Sequence, residues 1–198
     1  MIRRLLIALV CVLSLGMVLA MARRNHPQDQ RYARALLFRA DAAQDQIPHT
    51  GILVTASYLG ARPLITEARV ACAGEERSRI EYLTPPMRGL LILDDGVRSW
   101  RYDPQRGILY AECHCRTFEE RRRRNLALLL RNYQPRFHGE ATVAARPALR
   151  LTLCSNYGGR VAKRLWMDSD TALVLRSEAF HPNGALLSRT AYREVNFR

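Results

Sequence analysis

"RVAKRLWMDSDTALVLRSEAFHPNGALLSRTAYREVNF" (Arg160–Phe197) reads as three strands in succession, Arg160–Met167, Ala172–Phe180 and Leu186–Phe197. Val161, Leu165 and Met167 share one face of the first, and Trp166 takes the other. The links around Asp168–Asp170 and His181–Gly184 are turn chemistry, too short for a crossover helix, so neighbouring strands run antiparallel. Asp168 and Asp170 look like paired carboxylates, but a turn explains them without an acid/base role.

The same pattern extends upstream. Ala148–Cys154 carries Leu149, Leu151 and Leu153 on one face, and Arg136–Val143 precedes it. Before the second helix stand Thr50–Tyr58, Leu64–Cys72, Arg77–Leu83, Arg88–Leu93, Val97–Tyr102 and Ile108–Cys113, with a tight turn at Asp94-Asp95-Gly96. These are short strands at meander spacing. Two helices break the series. One opens at His26-Pro27, with Tyr32, Ala33, Leu36, Leu37 and Ala40 on one apolar face, and closes at Pro48. The other begins with the capping box Thr117-Phe118-Glu119-Glu120 and runs to about Arg131. The expected fold is α+β: a curved antiparallel half-barrel of about eleven strands wrapping two helices.

The chain has 198 residues, a formal net charge of +13 and 48% hydrophobic residues. Residues 1–24 read as a signal peptide or N-terminal anchor: Arg3 and Arg4, an apolar run over residues 5–21, and Ala20-Met21-Ala22 as a cleavage site. The protein is expected to be exported to the periplasm, either soluble after cleavage or tethered to the inner membrane by residues 5–21. Residues 25–198 are expected to form one domain, of a size that buries roughly 70% of its unfolded surface.

The positive charge is almost wholly arginine, and Lys163 is the single lysine. The arginines are spread over nearly every strand, which argues against a nucleic-acid footprint and favours an anionic membrane surface. "EERRRR" (Glu119–Arg124) reads as a solvated helix face with i,i+4 ion pairs.

Export would leave Cys72, Cys113, Cys115 and Cys154 in an oxidising compartment, with three possible pairings. Cys113, Cys115 and Cys154 are the disulfide candidates, with a bond to Cys154 preferred. A Cys72–Cys113 bond would span about 19 Å of a simple meander unless the sheet curls. Cys113-His114-Cys115 is the one local cluster resembling a metal site, but its spacing does not fit a zinc knuckle. No nucleophile elbow, H-E-x-x-H or phosphate loop occurs, so no metal, cofactor or enzymatic activity is expected, and a metal-dependent enzyme at Cys113, His114 and Cys115 is the least favoured alternative.

Arg160–Phe197 resembles the periplasmic RseB (MucB) family of sigma-E regulatory proteins: a strand ending Trp-Met-Asp, a polar turn, a strand holding Leu-Arg-Ser-Glu, and a last strand finishing in an aromatic. "NYQPRFHGEATVAARPALRLTL" (Asn132–Leu153) is similar to that family in its Gly-x-x-x-Val-Ala-x-Arg-Pro run. "RIEYLTPPMRGLLILDDGVRSWRYDPQRGILYAE" (Arg79–Glu112) looks like LolA-type lipoprotein carriers. The resemblance, over roughly Tyr32–Phe197, implies a sheet enclosing an apolar cavity. It further implies a binding protein for a lipoprotein acyl chain or lipid, sensing envelope stress through a membrane anti-sigma factor, or else a carrier without that regulatory role. RseB proteins carry a second, C-terminal domain, to which no part of residues 1–198 corresponds.

Alternation then nominates Ile52, Val54, Leu91, Leu93, Trp100, Tyr102, Leu149, Leu151, Leu153, Leu165 and Met167 as cavity-facing. Arg98 and Arg101 are nominated as rim cations for a headgroup phosphate.

Overall fold

A computed structural model of the protein describes residues 27–60, 62–113 and 118–197. Helix α1 (Pro27–Gln46) is followed by strands β1 (His49–Ser57), β2 (Leu64–Gly74), β3 (Arg77–Tyr82), β4 (Leu91–Asp95), β5 (Arg98–Asp103) and β6 (Ile108–Cys113). Helix α2 (Phe118–Asn132) comes next, then β7 (Tyr133–Val143), β8 (Arg146–Ser155), β9 (Val161–Asp168), β10 (Val174–Phe180) and β11 (Leu186–Phe197).

All eleven strands join one curved, open antiparallel sheet in the order β6-β5-β4-β3-β2-β1-β11-β10-β9-β8-β7. Two meanders, β1–β6 and β7–β11, are joined through the β1–β11 pair, so the first and last strands meet at the middle. The expected α+β fold is the one observed.

The face that carries the helices is called inner here. Ala33, Leu36, Leu37 and Ala40 of α1 pack on Leu151, Leu153, Leu165 and Met167 of β8 and β9. The i, i+3, i+4, i+7 spacing of α1 meets the period-two row of the strands, which is why this seam is the most deeply buried. A second cluster joins Val70, Leu175 and Tyr192, with Leu53 and Ile80 packed against it.

Two boundaries differ from expectation. The fourth strand starts at Leu91 instead of Arg88, because Gly89 N–H donates to the Tyr82 carbonyl and Leu90 N–H to that of Met87, closing a loop first. The seventh starts at Tyr133 instead of Arg136, directly out of α2. There Asn156 supplies the helix end with partners: its amide donates to the Arg131 carbonyl and its backbone N–H to that of Asn132.

Two hairpins turn without glycine at their tips. Glu75 and Glu76, and Ala144 and Ala145, all hold positive φ, from 50° to 64°. This is the mirror-image turn that fits strand twist, taken by residues that adopt it at a cost.

The Asp94-Asp95-Gly96 turn forms as its sequence predicts. The Asp94 carboxylate accepts from Gly96 N–H at 2.8 Å, and that of Asp95 from Val97 and Arg98 N–H. The capping residue Thr117 lies outside the described residues. Among those described, no helix is long and apolar enough to cross a membrane, and residues 5–21 are not among them.

Candidate functional site

A cavity of about 330 Å³ lies between both helices and the inner face of β1 and β8–β11. Leu37 and Ala40 of α1, Leu126 and Leu129 of α2, and Leu53, Leu153, Leu165, Val174 and Leu175 of the sheet form its apolar wall. Asp41, Gln44, Lys163, Ser177, Thr190 and Tyr192 supply polar groups. The volume falls near the lower end of small-molecule sites, and a mostly apolar wall with a few polar groups is their usual chemistry.

The expected cavity residues are divided by the structure. Leu153 and Leu165 line the cavity. Leu151 and Met167 share their face but are 0% exposed beneath α1, so they form its floor and core, and Leu149 packs beside them. Ile52 and Val54 lie on the outer face, where Ile52 pairs with Arg69 and Val54 with Glu67. The inner-facing residues of β1 are His49, Gly51, Leu53 and Thr55. That set looks polar in sequence, but each polar member has a partner. His49 Nε2 is 2.8 Å from the Tyr192 hydroxyl, and Thr55 Oγ1 is 3.1 Å from Thr190 Oγ1. Gly51 lies against the Tyr192 ring.

Leu91, Leu93, Trp100 and Tyr102 also lie on the outer face, away from the cavity. The register pairs Leu93 with Trp100 and Leu91 with Tyr102, whereas the row continuous with the cavity side is Val70, Ile80, Ile92, Arg101 and Tyr110. Neither described helix marks a preferred face at this end of the sheet, so alternation alone cannot tell inner from outer. Arg98 and Arg101 consequently point to opposite faces. Arg101 lines a separate depression of about 380 Å³ with Asp103, Arg106 and Glu112. Neither arginine lines the apolar cavity.

The disulfide to Cys154 is not formed. Cys154 and Cys72 are buried free thiols. Cys113 sits exposed on β6, at the edge of the sheet, and Cys154 on β8, next to the opposite edge. His114 and Cys115 lie outside the described residues. Asp168 and Asp170 form the expected turn: the Asp168 carboxylate accepts from the N–H groups of Asp170 and Thr171 and from the Thr171 hydroxyl.

Residues that sequence reading passed over carry much of the site. Leu126 and Leu129 were legible as an apolar stripe on α2. Tyr192 was not, since its role depends on pairing with Leu53 across a bulge in the register.

Burial holds the His49 imidazole below its ordinary pKa, against an opposing hydrogen bond to the Ile47 carbonyl. A group with a depressed imidazole pKa destabilises the fold wherever the unfolded chain takes a proton that the folded one refuses. Stability should therefore fall as pH drops below about 6.5. Urea midpoints measured on either side of that value should differ in the wild type, and the difference should shrink in His49→Gln.

The MucB/RseB N-terminal domain family matches residues 32–198. Among solved structures, the chain is similar to the MucA/MucB complex of Pseudomonas aeruginosa, with a TM-score of 0.61 and 22% identity over 83% of this chain and 56% of that one. A crystal structure of MucB gives a TM-score of 0.55 and 21% identity, covering 84% of this chain and 59% of that one. An uncharacterized conserved protein from Thermus thermophilus gives 0.59 at 17% identity, covering 84% and 88%. At these identities the likeness is one of fold. The chain spans a little over half the length of the MucB chains it matches. No curated protein matches it. By the family match over residues 32–198, the chain belongs to the MucB/RseB N-terminal domain family.

Proposed function

We propose that the protein is an exported, periplasmic binding protein that takes an apolar chain, the acyl tail of a lipid or lipoprotein, into the cavity between α1, α2 and the inner face. The observation that carries this reading is the apolar cavity of about 330 Å³ bounded by both helices. Binding by burial needs no catalytic residue, since each methylene removed from water contributes about 0.8 kcal/mol. Among the described residues no cluster of His, Cys, Asp and Glu is arranged to hold a metal ion. Ligand contacts fall to Leu37, Leu53, Leu126, Leu129, Leu153 and Leu165, with Lys163 as the cation nearest a headgroup.

MucB, which shares the fold, is found in complex with MucA. With family membership, this supports a regulatory role in which the occupied or empty cavity alters engagement of a membrane anti-sigma factor. A carrier without a regulatory partner is the second reading, favoured by the cavity alone.

Titration with a fluorescent fatty acid tests binding. Leu53→Trp and Leu129→Trp, which fill the cavity from opposite walls, should each weaken binding about tenfold or more, because excluding two methylenes costs about 1.6 kcal/mol. Unchanged affinity in both folded variants would place the ligand elsewhere. Capture of an anti-sigma factor's periplasmic segment, with and without the fatty acid, separates the regulatory reading from the carrier.

A further inference from the structure

On the outer face, three guanidinium groups converge on one buried carboxylate. Glu178 is 4% exposed. Its Oε1 accepts from Arg176 Nη2 and from Arg189 Nε at 3.1 Å, and Arg164 Nη1 lies 3.7 Å from Oε2. Two of the arginines are further fixed by stacking: Arg176 lies 4.5 Å over the Trp166 ring and Arg164 lies 4.8 Å over Phe180. The three side chains remain 32–45% exposed.

A guanidinium carries five donors and a carboxylate about four acceptor positions. Glu178 therefore cannot satisfy this cluster, and Arg176 Nε is buried with no hydrogen-bond partner. The cluster is not isolated. Cross-strand pairing sets Arg136, Thr152, Arg164, Glu178 and Arg189 in one row over five adjacent strands, β7 to β11. The next row holds Arg150, Trp166 and Arg176. Five arginines thus face one carboxylate over roughly 19 Å of sheet, at the usual strand spacing.

We propose that this outer-face arginine row is a binding surface for the phosphates of an anionic bilayer. The charge is spread in a line across strands, which matches several headgroups in a plane better than one small anion. A protein partner would be expected to find an exposed aromatic or aliphatic anchor at the centre. Here the central aromatics, Trp166 and Phe180, are already stacked under arginines. Glu178 holds the guanidiniums in place, so less side-chain freedom is lost on contact. The surface lies on the opposite side of the sheet from the cavity, and the proposal does not rest on the lipid-tail reading.

Sedimentation with phosphatidylcholine vesicles, with and without phosphatidylglycerol, tests it. Binding should require phosphatidylglycerol and weaken with salt. Arg164→Gln/Arg189→Gln should weaken it about 30-fold, on the scale of about 1 kcal/mol per basic residue at a membrane surface. Arg136→Gln/Arg150→Gln should weaken it comparably without touching Glu178, which guards against a folding defect in the first pair. Arg101→Gln/Arg106→Gln removes the same charge from the inner depression and should leave binding within about twofold, and Leu53→Trp should not affect it. Equal loss in the inner-face pair, or binding without phosphatidylglycerol, would overturn the proposal. Release of the protein from vesicles by millimolar inorganic phosphate would assign the row to a free anion and overturn it as well.

Discussion

Asp168→Ala is expected to destabilise the protein by about 3 kcal/mol, the lower end of what breaking a buried ion pair costs. The carboxylate side chain is 0% exposed, and Arg146 Nε donates to its Oδ2. Its other oxygen accepts from Thr171 N–H at 2.9 Å, the Thr171 hydroxyl at 3.0 Å and Asp170 N–H at 3.2 Å. The same residue's backbone closes the β9–β10 turn, donating to the Leu173 carbonyl and accepting from Ala172 N–H. Arg146, the first residue of β8, also lies 4.6 Å over the Phe197 ring at the end of β11. One carboxylate thus ties together the start of β8, the end of β9, the turn after it and the last strand. Alanine would leave these donors without an acceptor and a guanidinium with only the exposed Asp170 carboxylate, 3.6 Å away. Arg146 is itself 31% exposed, so water recovers part of its loss and the lower figure applies. For a domain of this size about 3 kcal/mol lowers the melting temperature by roughly 6–12 °C. The pH dependence gives a second check. Burial raises the Asp168 carboxyl, but the hydrogen bonds from Arg146 and Thr171 outweigh it and hold the group below its ordinary range. A depressed carboxyl stabilises the fold above its unfolded pKa of about 3.9, and that stabilisation is lost only as pH falls through the lower, folded value. Wild type and Asp168→Ala should therefore differ most near neutrality and converge in strong acid, in urea unfolding at each pH.

The fold was legible because two independent periodicities agreed. The four-residue spacing of Leu36 and Ala40 and the two-residue spacing of Leu149, Leu151 and Leu153 describe surfaces that have only each other to bury against. The polar runs at Asp94–Gly96 and Asp168–Thr171 stated where strands end, because Asp side chains bond backbone N–H groups two and three residues on. The site was less legible, for a specific reason. Alternation says which residues share a face but not which face is inside. Where a helix covers the strand, as at β8 and β9, hydrophobicity breaks the tie. At β1 it misleads. Ile52 and Val54 are the apolar-looking set, yet the helix side carries His49, Gly51, Leu53 and Thr55, where Tyr192 and Thr190 of β11 meet His49 Nε2 and the Thr55 hydroxyl and the Ile47 carbonyl meets His49 Nδ1. At β4–β6 neither described helix packs to any extent on either face. There Leu93 is 38% exposed and Tyr102 42% exposed, so their apolar character does not mark an interior. The arginine row is a different kind of omission. Arg164, Arg176 and Arg189 are ordinary surface residues singly and become a cluster only when the register sets β9, β10 and β11 side by side around Glu178.

Gly51→Ala is expected to cost about as much as losing Asp168, although it adds a single methyl group. A Cβ at this position would stand 2.4 Å from the Glu194 carbonyl oxygen and 2.9 Å from Tyr192 Cδ1. The first is backbone in the paired strand, so no rotamer change relieves it, and β1 and β11 must separate locally. Overpacking of this kind costs about 1–3 kcal/mol. The register adds to it. Gly51 pairs with Val195, one step from the bulge at which Ile52 meets Glu194 and Leu53 meets Tyr192. This is the junction of the two meanders, so displacement there strains the strand pair that joins the halves of the sheet among the described residues. Tyr192 is pushed away from Gly51 and from His49 Nε2, and a buried hydrogen bond left unmade costs about a further 1–3 kcal/mol. The phenol supplies a readout beyond stability. Burial, with Cys72 nearby, pushes Tyr192 up to about 12. If the ring moves toward solvent, its ionisation, followed by ultraviolet difference absorbance, should fall back toward the ordinary value of about 10. Since Tyr192 also lines the apolar cavity, the fatty-acid affinity of any folded Gly51→Ala protein should fall with it. A variant that melts like wild type and keeps the high phenol pKa would show that the sheet yields at this seam, and that the cavity wall does not depend on the missing side chain.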